Sequence, residues 1–584
     1  MNTHYTDEKN TQIVLRLLKT HGIRKVIASP GTTNIRLVAS MQQDDFFEMY
    51  SAADERSAAY MACGMAEETG QPVVITCTGA TASRNYVPGL TEAYYRKLPV
   101  LAITSTQHMG RVGQNIAQVL DRSEQMKDMI NLSVQLPTCH TEEDIWSCNV
   151  QANRAMLELR RNGGGPVHIN LETTYSTNFS VEKLPDTRKI NRIGYEDSFP
   201  EMKKGRIGIF VGAHSKWTTE LTDTVDRFCE KYNAVVLCDQ TSNYRGKYRV
   251  LFSLITSQGQ YSAECNNFDL LIHIGNISGS YPNIRSREEW RVNEDGEIRD
   301  TFKHLTNVFE MSEKYFFEKY ADNEQESTVN TAIVEWKNEY AKVYEQISEL
   351  PFSNIWIAKN TAGRISENSI LHLGILNTLR SWNFFETPDS VSVYCNTGGF
   401  GIDGVLSAAV GAALGAPDKI IYCIIGDLAF FYDMNVMGNR HLPNNIRIML
   451  INNGRGTEFR NYNHPGAQFG NDADDYIAAA NHYGAKSNIL IKHYAEDLGF
   501  KYISASDKQE YLNLIDVFVS DEKYNDPVMF EVFTNWQDES DALEKLNNTI
   551  IDTSVVIKQE VKNVVRNIVG QKGINALKKI AGRG

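Results

Sequence analysis

VSVYCNTGGFGIDGVLSAAVGAALGAPDKIIYCIIGDLAFFYDMNVMGNRHLPNNIRIMLINNGRGTEF, residues 391–459, alternates short apolar runs with stretches of helical character. VSVYC (391–395), IIYCIIG (420–426) and IRIMLI (446–451) read as buried strands, VLSAAVGAAL as a helix of small residues and FFYDMNVMGNRHL as another helix. That rhythm predicts a doubly wound parallel sheet, which binds ligands outside the carboxyl ends of its strands. Gly426-Asp427 ends one strand and Asn452-Asn453-Gly454 the next, with Asp427 and Asn453 26 residues apart (427 to 453). A carboxylate, an amide oxygen and a nearby backbone carbonyl are hard ligands, and magnesium completes its octahedron with phosphate oxygens and water. The helix start at Gly426, Asp427, Leu428 and Ala429 adds N–H groups and a positive dipole end for the same anion. The pattern therefore suits a diphosphate held through a metal. Two readings compete with it. Gly399, Gly401 and Gly404 form G-x-G-x-x-G with Asp427 following 23 residues after Gly404, which imitates a nicotinamide or flavin site. An Asp helix cap and an Asn turn are also common local devices.

Working outward, the same alternation recurs twice. VIAS (26–29), VVITC (73–77), VLAIT (100–104) and VHINL (167–171) predict an N-terminal α/β domain over 1–179. Residues 180–205, charged and with two prolines, read as a linker. IGIFVG (207–212), AVVLC (234–238) and LLIHIG (270–275) predict a central α/β domain over 206–350, closed by a charged helix near 326–348. The segment quoted first belongs to a third domain, 351–540, ending on the strand VMFEVF (528–533). The fold class is thus α/β, with three doubly wound parallel-sheet domains. Residues 541–584 form a basic amphipathic tail: Ile551, Val555, Val561, Val565, Ile568 and Val569 mark one helical face, and Lys558, Lys562 and Arg566 a basic stripe. Packing on the globule or on a partner subunit competes there with contact to acidic lipid or a partner.

Composition narrows the function classes. Lys plus Arg number 59 against 72 Asp plus Glu over 584 residues, a net charge of −13 that is the wrong sign for gripping a phosphate backbone. Nine cysteines with no C-x-x-C pair indicate neither a disulfide framework nor a thiolate zinc site. The polar start MNTHYTDEKN and the absence of any apolar run of about 18 residues predict a soluble, cytosolic protein.

The G-D and N-N spacing resembles the thiamin diphosphate motif. NTGGFGIDGVLSAAVGAALG with GDLAFFYDMN is particularly similar to the SEPHCHC synthases of menaquinone biosynthesis, and acetolactate synthases share the looser pattern. The resemblance spans roughly residues 10–540 and implies the three-domain thiamin-diphosphate fold, with pyrimidine-binding, central and diphosphate-binding domains. It implies thiamin diphosphate and Mg²⁺ as cofactors, with Asp427, Asn453 and the Arg455 carbonyl as metal ligands. Ile402 would prop the cofactor, and Gly401 belongs to the same turn. The family also needs one glutamate after the second strand of the first domain, and Ala53-Asp54-Glu55-Arg56 supplies Glu55. A carboxyl bonded to N1′ of the aminopyrimidine favours the imino tautomer, whose exocyclic nitrogen removes the C2 proton. Gln114 and Gln118 match a glutamine pair in this family, Gln118 being favoured near the substrate, and Gly79 and Thr81 shape the turn beside the ring. Because the family divides the glutamate and metal motifs between subunits, the resemblance implies a homodimer or homotetramer with shared active sites.

The chain departs from the SEPHCHC synthases where they use arginines for substrate carboxylates. Thr33, Gln107, Leu373 and Thr397 stand at the aligned positions. Losing such pairs forfeits about 1.5–3 kcal/mol per charge-assisted bond. Arg84, His108, Glu458, Arg460 and His464 are the remaining candidates for contact with a different acid, each competing with an ordinary surface role. No adequate nucleotide signature marks the central domain, so FAD is not expected. The expectation is decarboxylation of a 2-oxo acid with transfer of the acyl anion equivalent to a carbonyl or alkene acceptor. Alternatives are an acceptor-free decarboxylase, a nicotinamide or flavin oxidoreductase, and a catalytically silent assembly subunit.

Overall fold

The computed structural model describes residues 4–214, 217–280, 282–322, 329–481 and 486–552. The expected basic tail beyond Asp552 lies outside the described residues. Two compact units emerge: one runs to Phe199 and includes Asp295–Glu310, the other comprises Pro200–Glu294 and the chain from Met311.

In the first unit six parallel strands, β1 (Lys25–Ala28), β2 (Glu48–Ser51), β3 (Val73–Cys77), β4 (Val100–Thr106), β5 (Leu132–Leu136) and β6 (Val167–Glu172), lie in the order β2-β1-β3-β4-β6-β5. Every residue of β3, β4 and β6 is buried, as expected of central parallel strands covered by helices on both faces. Each Val, Leu or Ile so buried contributes about 1.5–3 kcal/mol. Strand β7 (Asn191–Ile193), inside the 180–205 segment, pairs in parallel with β13 (Leu305–Phe309) of the same unit.

The second unit carries five strands of the central segment, β8 (Ile207–Val211), β9 (Val235–Cys238), β10 (Arg249–Leu251), β11 (Asn267–Ile274) and β12 (Arg285–Val292), ordered β10-β9-β8-β11-β12. It also holds the sheet of β14 (Ile370–Leu373), β15 (Ser392–Tyr394), β16 (Ile421–Gly426), β17 (Ile446–Asn452), β18 (Lys501–Ala505) and β19 (Val528–Phe533). The order of that sheet, β15-β14-β16-β17-β19-β18, repeats the topology of the first one strand for strand. The strand order reverses beside β1 in one sheet and beside β14 in the other, and a doubly wound sheet opens a crevice at such a point. The predicted strand runs fall on β1, β3, β4, β6, β8, β9, β11, β15, β16, β17 and β19. The small-residue helix forms over Val405–Gly415, whereas the helix expected after Gly426 is shorter: Asp427–Asp433, then a 3-10 turn over Met434–Gly438. Its last residue, Asp433, accepts from Ser407 N at 2.6 Å, which pins this end to the neighbouring helix. No described helix is long and apolar enough to cross a membrane. All nine cysteines are free thiols.

Candidate functional site

In the second unit the site is built where β14, β16 and β17 end. Gly426, in extended conformation, lets the chain turn from β16 into the helix that Asp427 opens. Asp427 is only 4% exposed, and its carboxylate oxygens accept from Leu428 N at 2.8 Å and Gly454 N at 2.6 Å. The acid thus ties the end of β16 to the turn after β17. Burial pushes its pKa up to about 6, backbone N–H groups opposing the shift. Beside it the buried Oδ1 of Asn453 has no hydrogen-bond partner, an omission that costs about 1–3 kcal/mol unless a ligand supplies the contact. The Arg455 carbonyl accepts from Thr457 N at 2.9 Å and Thr457 Oγ1 at 3.3 Å. A cleft of about 110 Å³ is lined by Gly426, Asp427, Leu428, Ala429, Asn453 and Arg455, together with Ile402 and Glu458. One carboxylate, one orphaned amide oxygen and one backbone carbonyl are all hard oxygens, a donor set whose chemistry fits magnesium completed by diphosphate and water. Gly401 is not on the cleft wall; a Cβ there would meet Oδ1 of the exposed Asp403 at 2.4 Å, so a larger residue would have to displace that carboxylate.

Three candidates beyond the metal loop take separate places. Glu458 pairs bidentately with Arg380, 2.7 Å at each oxygen. Arg460 is buried, donates to Asp474 Oδ1 at 2.7 Å and stacks 4.1 Å from the Trp536 ring; the Arg455 guanidinium shares both partners, at 2.7 and 5.3 Å. His464 accepts from Gly466 N at 2.9 Å and caps the next 3-10 turn. Neither Arg460 nor His464 lines the cleft. The ends of this loop are joined: Gly456 N donates to Ala478 O at 2.6 Å and Asn481 N to Gly454 O at 3.3 Å.

Glu539, which carries no sequence signal, is buried behind the cleft and accepts from Asn354 N at 2.9 Å and Thr534 Oγ1 at 2.7 Å. Burial pushes its pKa up to about 7. Between the ordinary value of about 4.5 and 7 the native state binds the extra proton, so stability falls as pH rises through this window, by up to about 3 kcal/mol. Glu539→Gln keeps both contacts, since the Thr534 hydroxyl can accept from the new amide. It is expected to raise the melting temperature at pH 8 by several degrees, on the order of 2–4 °C per kcal/mol, and to leave it unchanged at pH 5. Thermal melts at the two pH values check this; an equal gain at both removes the role assigned to the ionised form.

In the first unit Asp54 caps the helix Glu55–Thr69, accepting from Arg56 N at 3.0 Å, which leaves Glu55 half-buried at the helix start after β2. Near it, Cys77 and Tyr86 are held well above their ordinary pKa values by burial. At Gly79 a Cβ would fall 2.7 Å from Arg122 Nη1 and 3.3 Å from Gln118 O, so only glycine permits this approach. Ala80 follows at φ 59 and ψ −138, a strained conformation, and Thr81 starts the helix Thr81–Asn85. Arg84 in that helix donates to Asp121 O at 3.0 Å. Gly79 and the Gln118 backbone are therefore neighbours, the side chains of Gln114 and Gln118 are both exposed, and His108 caps a 3-10 turn by accepting from Gly110 N at 3.1 Å. The composition-based reading missed Arg122. It is 1% exposed, donates to Asn170 Oδ1 at 2.8 and 3.2 Å, and keeps Nη1 unpartnered; burial pushes the guanidinium down to about 10. Thr33 donates to Ser105 O at 3.0 Å, Gln107 accepts from Arg111 at 2.5 Å, and Leu373 and Thr397 are buried, so none of these positions offers a cation.

Comparison with known proteins bears on both units. Residues 9–126 match the thiamine pyrophosphate enzyme N-terminal TPP binding domain and residues 378–532 the C-terminal TPP binding domain, spans that include Glu55 and the Asp427–Asn453 pair respectively. The 2-succinyl-5-enolpyruvyl-6-hydroxy-3-cyclohexene-1-carboxylate synthase of Bacteroides thetaiotaomicron is 32% identical over 91% of this chain and 97% of its own length. The synthase of the same name from Phocaeicola vulgatus is 31% identical over 93% and 98%. The Flavobacterium johnsoniae synthase follows at 26% over 90% and 95%. With both TPP-binding halves matched and full-length relatives above 30% identity, this chain belongs to the thiamine pyrophosphate enzymes, in the family of the 2-succinyl-5-enolpyruvyl-6-hydroxy-3-cyclohexene-1-carboxylate synthases.

Proposed function

We propose that the protein decarboxylates a 2-oxo acid and transfers the acyl anion equivalent to a small carbonyl or alkene acceptor, using thiamin diphosphate and Mg²⁺. The observation that carries this reading is the pairing of buried Asp427 with the orphaned Asn453 Oδ1 on one cleft at the ends of β16 and β17. Asp427, Asn453 and the Arg455 carbonyl would hold the metal, and the Gly426–Ala429 helix start the diphosphate. When bound, thiamin diphosphate supplies the carbon nucleophile and the electron sink that make loss of carbon dioxide possible. Ile402, packed between the two cores of its sheet, offers a fixed apolar wall to the cofactor's bend. The Glu55 carboxyl would hydrogen-bond the ring nitrogen of the aminopyrimidine and exchange a proton with it. Gly79 and Thr81 bring the backbone close to that ring, and Gln118 orients the reacting group. A homodimer or homotetramer with shared active sites belongs to this reading, as does a cytoplasmic setting, which nine free thiols support.

The same four uncharged positions argue that the donor is not held as the arginine-rich relatives hold theirs. Carbon dioxide release from a panel of 2-oxo acids, with each cofactor omitted in turn, tests the function and names the donor. Release is expected with one acid, in the presence of an acceptor where required, and only with both cofactors. Release that persists without thiamin diphosphate, or a chain that retains none of it, overturns the reading.

A further inference from the structure

A second cavity in the same unit, of about 420 Å³, shares Leu376 with the cofactor cleft. Its chemistry is uniform. Ser253, Thr256, Ser257 and Ser280 bring hydroxyls, Asn383 and Asn547 bring amides, and Phe384 and Phe400 give it apolar walls. Among the described residues the single charged side chain on its wall is Arg380, whose Nη1 and Nη2 each donate to Glu458 at 2.7 Å, Nη1 also donating to Asn377 Oδ1 at 2.9 Å. The protein thus carries its own carboxylate for its own guanidinium.

The amides point to a ligand independently. Asn383, 1% exposed, accepts from Gln240 N at 2.9 Å through Oδ1, which leaves its buried Nδ2 without an acceptor. Asn547, 8% exposed, donates from Nδ2 to Tyr462 Oη at 3.1 Å, which leaves its buried Oδ1 without a donor. One free donor and one free acceptor in one cavity are the complement of a hydroxyl group, which both accepts and donates. Strain gathers at the same wall: Leu376 and Phe400 hold φ of 68 and 55, conformations that non-glycine residues keep only where surrounding structure enforces them.

We infer that this cavity binds a neutral, hydroxyl-rich molecule, and that Glu458 sets this specificity by quenching Arg380 against carboxylates. Assignment of that molecule as the acceptor rests on the proposed function; the charge rule does not. A carboxylate entering here meets an ion pair rather than a free fork, so it loses the bidentate bond and faces Glu458 as a like charge.

Two four-carbon probes test the rule on the full chain without cofactors: erythritol, a neutral tetrol, and succinate, a dianion, their affinities read by ligand-observed NMR titration. The wild type is expected to prefer erythritol by about tenfold or more, and Glu458→Gln, with Arg380 released, to reverse the order. The Arg380→Gln, Glu458→Gln double variant restores the neutral preference, which separates charge from any loosening of the wall. Asn547→Leu weakens erythritol without helping succinate. Succinate preferred by the wild type, an order unchanged in Glu458→Gln, or binding of neither probe overturns the inference. A chain that prefers erythritol yet binds no thiamin diphosphate would defeat the proposed function alone, and one that decarboxylates but prefers succinate would defeat the cavity assignment alone.

Discussion

Asp427→Ala is expected to weaken magnesium-dependent binding of thiamin diphosphate by about two to three and a half orders of magnitude, the 3–5 kcal/mol typical of removing one partner from a buried charged pair. Asp427 is the only carboxylate on the donor set, and the alanine would also strand two backbone donors, Leu428 N and Gly454 N, that now end on its oxygens. Asn453, already lacking a partner for Oδ1, cannot hold a hard dication without the acid's charge. Calorimetric titration with cofactor, with and without Mg²⁺, gives the answer directly. The metal dependence should vanish along with the affinity, and a dissociation constant within threefold of wild type would remove Asp427 from the metal.

Glu55→Gln should do the opposite: cofactor affinity close to wild type, and turnover lower by about 10²–10⁴-fold, the range for loss of a positioned acid or base. Asp54, not Glu55, caps the helix through Arg56 N and Ser57 Oγ, at 3.0 and 2.9 Å, so the fold does not depend on the carboxyl. Glutamine keeps the size and an amide at the same place but cannot exchange a proton with a ring nitrogen. The discriminating measurement is carbon dioxide release at saturating cofactor, alongside the binding constant. Turnover within tenfold of wild type would assign the proton to another group.

Most strands legible in the sequence are central and buried, although the edge strand β15 was legible too. β16 (IYCIIG) and β17 (IRIMLIN) are mostly apolar, as are β3 (VVITC) and the first four residues of β4 (VLAI). The overlooked strands include β2, β5 and β18, which form sheet edges and leave residues partly exposed, so their patterns carry no continuous apolar run. β14 is fully buried but only four residues long and interrupted by His372, too little for a periodicity to register. The site divides in the same way. Asp427 and Asn453 were readable because each adjoins a strand end that hydrophobicity already marks. Arg122, Arg380 and Glu539 were not, because what distinguishes them is a partner far along the chain: Asn170 for Arg122, Glu458 for Arg380 and Asn354 for Glu539, separated by 48, 78 and 185 residues. A guanidinium in DRSEQ or TLRSW looks like any solvated charge until the fold shows what faces it.

The loop between Gly454 and Asn481 has its two ends bonded to each other, and Gly454 N also holds it to Asp427 at the end of β16. Closed in that way, it is a cooperative unit in the sense of native-state hydrogen exchange: it can open without unzipping any strand pair, at the cost of the Glu458–Arg380 ion pair, the Tyr462 N–Ser540 Oγ bond and the Trp536 contacts of Arg455 and Arg460. Its amides should therefore exchange together, faster than those of β16 and β17, and ligand bound at the Arg455 carbonyl should slow all of them by one common factor.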